Sequence, residues 1–180
     1  EPSSSMRMGS LRVHVIGPFE EDLEILKDKW DEWLEENTQA LERIRRQARL
    51  DAERMGANDV ETLMQLQIAQ AAELGNRAKV TPPNLASLML LVSEGGKTLL
   101  LTGDGHADDI RRGLEFHGKL DPEGRIHVDV LKVQHHGSEH NLNEEFLAKV
   151  SADHYIFCGN GEHENPDLDV LKTLLDSRLE

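Results

Sequence analysis

The stretch VDVLKVQHHGSEHN, residues 128–141, reads as a buried strand that runs straight into two adjacent histidines, a glycine and a serine. Val and Leu suit a pleated, covered strand, and such a strand is a rigid root for whatever follows it. In sheets covered by helices, chemistry collects in the loops just beyond strand C-termini, where side chains from neighbouring strands share a crevice. His135 and His136, immediately past Val133, therefore mark the first candidate site.

Working outward, two apolar runs, LASLMLLVSE and KTLLLTGD, are joined by Gly95 and Gly96, a two-residue hairpin signal. The second run delivers Asp104 just beyond Gly103. Downstream of it ADDIRRGLEFHG, HVDVLKV, NEEFLAKV, DHYIFCG and DLDVLKTLLDSRL alternate as α-β-α-β-α, the pattern of a sheet covered by helices. The expected class is α/β (α+β). Near the N-terminus LRVHVIGP, residues 11–18, alternates apolar and polar positions and is closed by Gly17 and Pro18, the expectation for a half-buried first strand. The Ser-rich stretch before it reads as loop.

Between these parts lies a helical region. From Phe19 to about Met55, Leu23, Leu26, Trp30, Trp33, Leu41, Ile44 and Ala48 recur in steps near three and four, which predicts a long amphipathic helix. Gly56 breaks it, Asn58 or Asp59 caps a second helix carrying Val60, Leu63, Met64, Ala71 and Leu74, and Gly75 and Asn76 end that one. The expectation is an antiparallel helical hairpin packed on the sheet, or else a dimerisation arm or a lid. Arg43, Arg45, Arg46, Arg49 and Arg54 form a local basic segment, but Glu42, Asp51 and Glu53 dilute it into a solvated, ion-paired face. Three segments follow: 1–18, 19–79 and 80–180.

Composition bounds what such a chain does. Its 180 residues are 38% hydrophobic, enough for a core, and 34 acidic against 20 basic residues leave a formal charge of −14. The surface as a whole repels phosphate backbones and anionic membranes, so any nucleic-acid contact is local. No run approaches the roughly 18 apolar residues of a membrane span, and EPSSSMRMGS lacks the apolar core of a signal peptide, so a soluble cytoplasmic protein is expected. Cys158, the only cysteine, lies in YIFCG and reads as a buried small hydrophobe rather than a catalytic thiol. The opening Glu1 and Pro2, without methionine, suggest a fragment.

Carboxylate and imidazole are ordinary ligands of zinc, manganese or iron, so Asp104 with His135 and His136 looks like half of a metal site. On local grounds alone Asp104 reads as a helix cap, and an isolated His pair is a weak signal. His14 sits inside a strand, and His106, His117, His127, His140 and His154 stand singly, more in the manner of packed or surface residues than of ligands.

The ordered series is more specific than its parts: Asn84-x-x-Ser87, a hairpin, Thr102-Gly103-Asp104, a helix, then D-V-L-K-V-x-H-H-G-S ending at Ser138. It resembles the C-terminal half of a metallo-β-lactamase-fold hydrolase, of the kind found in the hydrolase domain of ComEC-type DNA-uptake proteins. The resemblance covers residues 11–18 and 80–177. It implies an αββα sandwich holding two divalent metal ions, zinc or manganese, with Asp104 bridging them and His135 ligating one. His136 would be either the true ligand or a substrate-side neighbour. G-N-G-E-H-E-N-P loosely resembles the family's glycine-rich turn near the site mouth, with Asn160 and His163 at the matching positions. The implied activity is that of a phosphodiesterase or nuclease acting on a phosphate-containing substrate, with His136 and His163 contacting a phosphoryl oxygen or protonating a leaving group. A lactonase or thioesterase is the alternative on the same fold.

Two departures shape the expectation. The family's H-x-H-x-D-H motif occurs nowhere in the chain, so its partner would be the missing N-terminal half of the same sandwich, and this chain by itself would be inactive. The segment between the strand ending in Gly17-Pro18 and Asn84, about 65 residues, is far longer than the family's short loop, and helices 19–75 could carry a homodimer contact. The non-enzymatic reading is a metal-free, degenerate sandwich that serves as a scaffold through its helical hairpin.

Overall fold

The computed structural model describes residues 5–36, 80–159 and 165–179. Among them six strands form one sheet in chain order: β1 (Ser5–Met8), β2 (Leu11–Gly17), β3 (Met89–Glu94), β4 (Lys97–Leu101), β5 (Ile126–Lys132) and β6 (Val150–Ile156). The first four are antiparallel neighbours, while β4, β5 and β6 run parallel. The connections explain the change. Two-residue turns at Gly9–Ser10 and Gly95–Gly96 can only send the chain back on itself, whereas parallel neighbours need a crossover. Those crossovers contain the helices α3 (Ala107–Phe116) and α4 (Glu144–Lys149). With α1 (Glu20–Glu36), α2 (Pro82–Leu85) and α5 (Leu168–Leu179), the described residues form the mixed α/β fold that the alternation of patterns predicted.

One face of the sheet is dry. Ile16, Met89, Leu91, Leu100, Val128 and Leu131 meet Ile110 and Leu114 of α3, Phe146 and Leu147 of α4, and Val170 and Leu174 of α5. The helix α3 lies so close to β2 that a Cβ on Gly113 would fall 1.9 Å from the Ile16 carbonyl oxygen. The opposite face follows from strand alternation and register. Val15, Leu90, Leu101, Lys132 and Ile156 form one cross-strand row, and Val92, Leu99 and Val130 another. Their apolar members stay half-buried, except Ile156, which is exposed.

Several expectations change. LRVHVIGP is the second strand, not the first: Ser5–Met8 pairs with it as an exposed edge strand, Met8 opposite Leu11, although its Ser-rich flank reads as loop. Cys158 is exposed, not buried. It follows the edge strand β6, where Tyr155 and Phe157 turn toward the core and Ile156 and Cys158 turn away. The cap of α3 is His106, whose ring nitrogen accepts from the Asp108 amide at 3.2 Å, so Asp104 is not a helix cap. The stripe expected on α1 is only partly covered: Leu26 and Trp30 are half-buried, but Leu23 is exposed. The helix packs beside α2, a single turn of four residues, which is too short to cover it. The start of α1 is pinned instead. The buried ring of Phe19 lies under the Arg112 guanidinium at 3.8 Å, and Arg112 pairs with Glu21. The expected second helix, the arginine-rich segment around Arg43 to Arg54, and Asn160 and His163 lie outside the described residues.

Candidate functional site

Parallel pairing of β4 with β5, Leu101 opposite Lys132, brings two turns side by side beyond their C-termini. The first carries Thr102, Gly103, Asp104 and Gly105; the second is a tight turn, Gln134–Gly137, whose backbone is not that of a right-handed helix. They are stitched together by backbone and side chains. The His135 amide donates to the Gly103 carbonyl at 3.2 Å, the Thr102 hydroxyl to the Lys132 carbonyl at 2.5 Å, and the Lys132 ammonium to the Gly103 carbonyl at 2.5 Å. Ser87, from the Asn84-x-x-Ser87 motif, accepts from the Asp104 amide at 3.1 Å and fixes that turn from a third direction.

The second turn is held in an unusual backbone state. His135 and His136 both adopt positive φ, 44° and 58°, followed by Gly137 at 90°. The left-handed region costs a non-glycine residue about 1–2 kcal/mol. Two consecutive residues there persist only where the surroundings over-determine them, which is common at functional sites. Here Gly137 is irreplaceable on two counts. Its φ suits glycine, and a Cβ would sit 2.7 Å from Pro166 and 2.8 Å from the Phe157 ring. The Gly137 carbonyl also accepts from the Asp167 amide at 3.1 Å, tying the turn to the approach of α5.

The side chains divide by burial. His135 is buried, His136 half-buried, and the Asp104 side chain is 34% exposed. Asp104 has a cation beside it, Lys132 Nζ at 3.5 Å. His135 Nδ1 lies 2.7 Å from Asn141 Oδ1, and His136 Nδ1 lies 3.1 Å from the Cys158 carbonyl oxygen. A carbonyl oxygen only accepts, so His136 carries its proton on Nδ1 and its Nε2 faces away with a lone pair. Asn141 donates in turn to the carbonyls of Asp104 at 2.8 Å and Gly105 at 3.3 Å.

The structure thus brings Asp104, His135 and His136 to one end of the sheet. Among the described residues no cluster of three or more metal-ligating side chains forms. Asp104 and His135, one carboxylate and one imidazole, fit part of a divalent-cation site and fall short of the three protein ligands of catalytic zinc. Sequence reasoning missed Asn141 and Lys132. Both lie within residues 128–141, and the polar run after the histidines, S-E-H-N, was the available signal for Asn141.

No protein-family model matches the chain, and no solved structure matches it. The chain is similar to ComE operon protein 3 of Bacillus subtilis (strain 168), with 33% identity over 96 residues. The match covers 51% of this chain and 11% of that protein, so the chain spans about a tenth of the length of the curated relative. No helix among the described residues is long and apolar enough to cross a membrane.

Proposed function

We propose that this chain forms part of a metal-dependent hydrolase of the metallo-β-lactamase type, acting on a phosphodiester, and that a segment outside the chain supplies the remaining ligands. The observation that carries this reading is the joining, by buried hydrogen bonds, of the Asp104 turn to the strained His135–His136 turn at neighbouring parallel strand ends. The partial similarity to ComE operon protein 3 supports it, as does the half-buried apolar face opposite the helices, a surface suited to a second layer. In this reading Asp104 and His135 would hold divalent ions, zinc or manganese, which would supply Lewis acidity and bring the pKa of water down toward ~7. His136, with the lone pair of Nε2 directed away from its Cys158 anchor, would be the alternative metal ligand or a substrate-side neighbour, and His163 would serve the leaving group. Lys132, beside Asp104, adds positive charge near the developing oxyanion.

The test is metal content and activity of a protein that joins the missing half to this chain. Near-stoichiometric zinc or manganese and hydrolysis of bis-p-nitrophenyl phosphate are expected there, with little of either in the 180 residues alone. Asp104→Ala should remove more metal than His135→Ala, since a carboxylate would supply both charge and ligand oxygens, with helical circular dichroism retained. Unchanged metal in both variants would overturn the ligand assignment. A metal-free, inactive complete protein would favour the scaffold reading, which draws on the exposed Leu23 and Ile25 of α1 as a contact surface.

A further inference from the structure

Asn141 lies six residues past His135, is 1% exposed, and faces three groups. Its amide nitrogen donates to the Asp104 and Gly105 carbonyls, and its Oδ1 meets His135 Nδ1. Neighbours decide which end of the carboxamide is which. Both backbone oxygens only accept, so the group facing them has to be the NH2; the flipped amide would set oxygen against two oxygens with no proton between. With that orientation settled, Oδ1 is an acceptor and His135 Nδ1 has to be the donor. A neutral imidazole protonated on Nδ1 leaves a bare electron pair on Nε2.

We propose that Asn141 is the positioning residue of this site. One buried carboxamide holds His135 in the Nδ1–H tautomer, presents Nε2 as an electron-pair donor, and fastens that ring to the backbone that carries Asp104. The tautomer follows from hydrogen-bond accounting alone; its use, offering Nε2 to a divalent cation beside Asp104, rests on the proposed hydrolase reading. Loop closure by itself does not require this arrangement. The Asn141 backbone already accepts from the Ala107 amide at 2.9 Å and from Gln134 Nε2 at 3.3 Å, so the segment is anchored without its side chain. His136 provides an internal control. It is locked in the same tautomer, but by the Cys158 carbonyl, which no change at Asn141 touches.

The experiment is a long-range 1H–15N correlation spectrum of the 15N-labelled 180-residue chain, metal-free, at about pH 8, above the usual histidine range. His135 and His136 should both appear as Nδ1–H tautomers. In Asn141→Ala, His135 should move toward the Nε2–H form preferred by unconstrained side chains while His136 stays. Nε2–H at His135 in the parent chain overturns the assignment without recourse to any variant, and so does an unchanged His135 in a folded Asn141→Ala. Zinc titration of the completed protein reads the second half. Asn141→Ala should weaken zinc by about 10–100-fold, the usual effect of losing an outer partner of a ligand. Altered tautomer with unaltered zinc affinity overturns the positioning role. A parent protein that binds no zinc sinks the hydrolase reading instead and leaves the tautomer assignment standing.

Discussion

The two ends of the parallel strands β4 and β5 are built from different kinds of polar contact. At the C-terminal end, hydrogen bonds run between buried groups of the two turns, among them Asn141, Thr102 and His135. At the other end the contacts are exposed ion pairs, Lys97 with Asp129 at 2.5 Å and Arg125 with Asp121 at 3.2 Å and Glu123 at 3.1 Å, beside a His127–Asp153 contact at 3.3 Å. Water can substitute for any of the second set, so little depends on them individually. It cannot substitute at the first, where a lost partner leaves a buried polar group unsatisfied at about 1–3 kcal/mol. That matching is what allows two histidines to stay in left-handed backbone. The rigid, costly end is the one equipped to hold reactive side chains still.

The largest break in this contrast should come from Gly137→Ala. Positive φ and contact with Pro166 and Phe157 together predict a loss of about 3 kcal/mol in urea unfolding. A loss below about 1 kcal/mol would mean that the turn yields easily and that its backbone is not over-determined.

A pH scan separates both ends from the sheet between them. His14, buried in β2, has no hydrogen-bond partner among the described residues on either ring nitrogen and stands 5.2 Å from the His117 ring. Desolvation first, then Lys119, His117 and Arg12, hold its pKa below the ordinary 6.5. The unfolded chain therefore binds this proton at higher pH than the folded one, so stability is full above pH 6.5 and falls as pH drops through the lower folded value. The thermal midpoint should begin to decline just below pH 6.5, and the decline should vanish in His14→Leu. A decline in this window that survives His14→Leu would assign it to another histidine.

Smaller effects belong to the solvated end. Asp129 is held at about 2 against an ordinary 3.8, chiefly by its hydrogen bond with Lys97 and then by the Thr98 amide. A depressed carboxylate stabilises above its unfolded pKa and loses that contribution as pH falls through the folded one. Asp129→Asn should thus lower stability at neutral pH, and the difference from the parent should close by about pH 2 in denaturant titrations. Added salt should shrink it, since Lys97 is largely exposed. Smallest of all, Arg125→Ala should leave the thermal midpoint unmoved within error despite removing two ion pairs. A clear drop there would show that the solvated end contributes more than exposed pairs do.

Much of the fold was legible because its signals are local. The Gly95–Gly96 turn, the apolar runs of β3 to β5 and the periodicity of α3 and α5 each need only neighbouring residues to be read. The edge strand β1 was not, since its four exposed residues are strand only by virtue of their ladder with β2. The apolar run around Cys158 misled for a related reason. Hydrophobicity says that a segment is covered somewhere, whereas which of its residues are covered depends on where the sheet ends.

By itself the sequence determined that Asp104 and the His135–His136 pair stand at the ends of strands, because a strand's period and its closing glycine are written in consecutive residues. Only the tertiary structure decided that the two ends adjoin, that both histidines take left-handed backbone, and that Asn141 reaches across 37 positions to the Asp104 carbonyl. Those facts hang on the parallel register of β4 with β5, Leu101 opposite Lys132, and register is set by which apolar faces share one core.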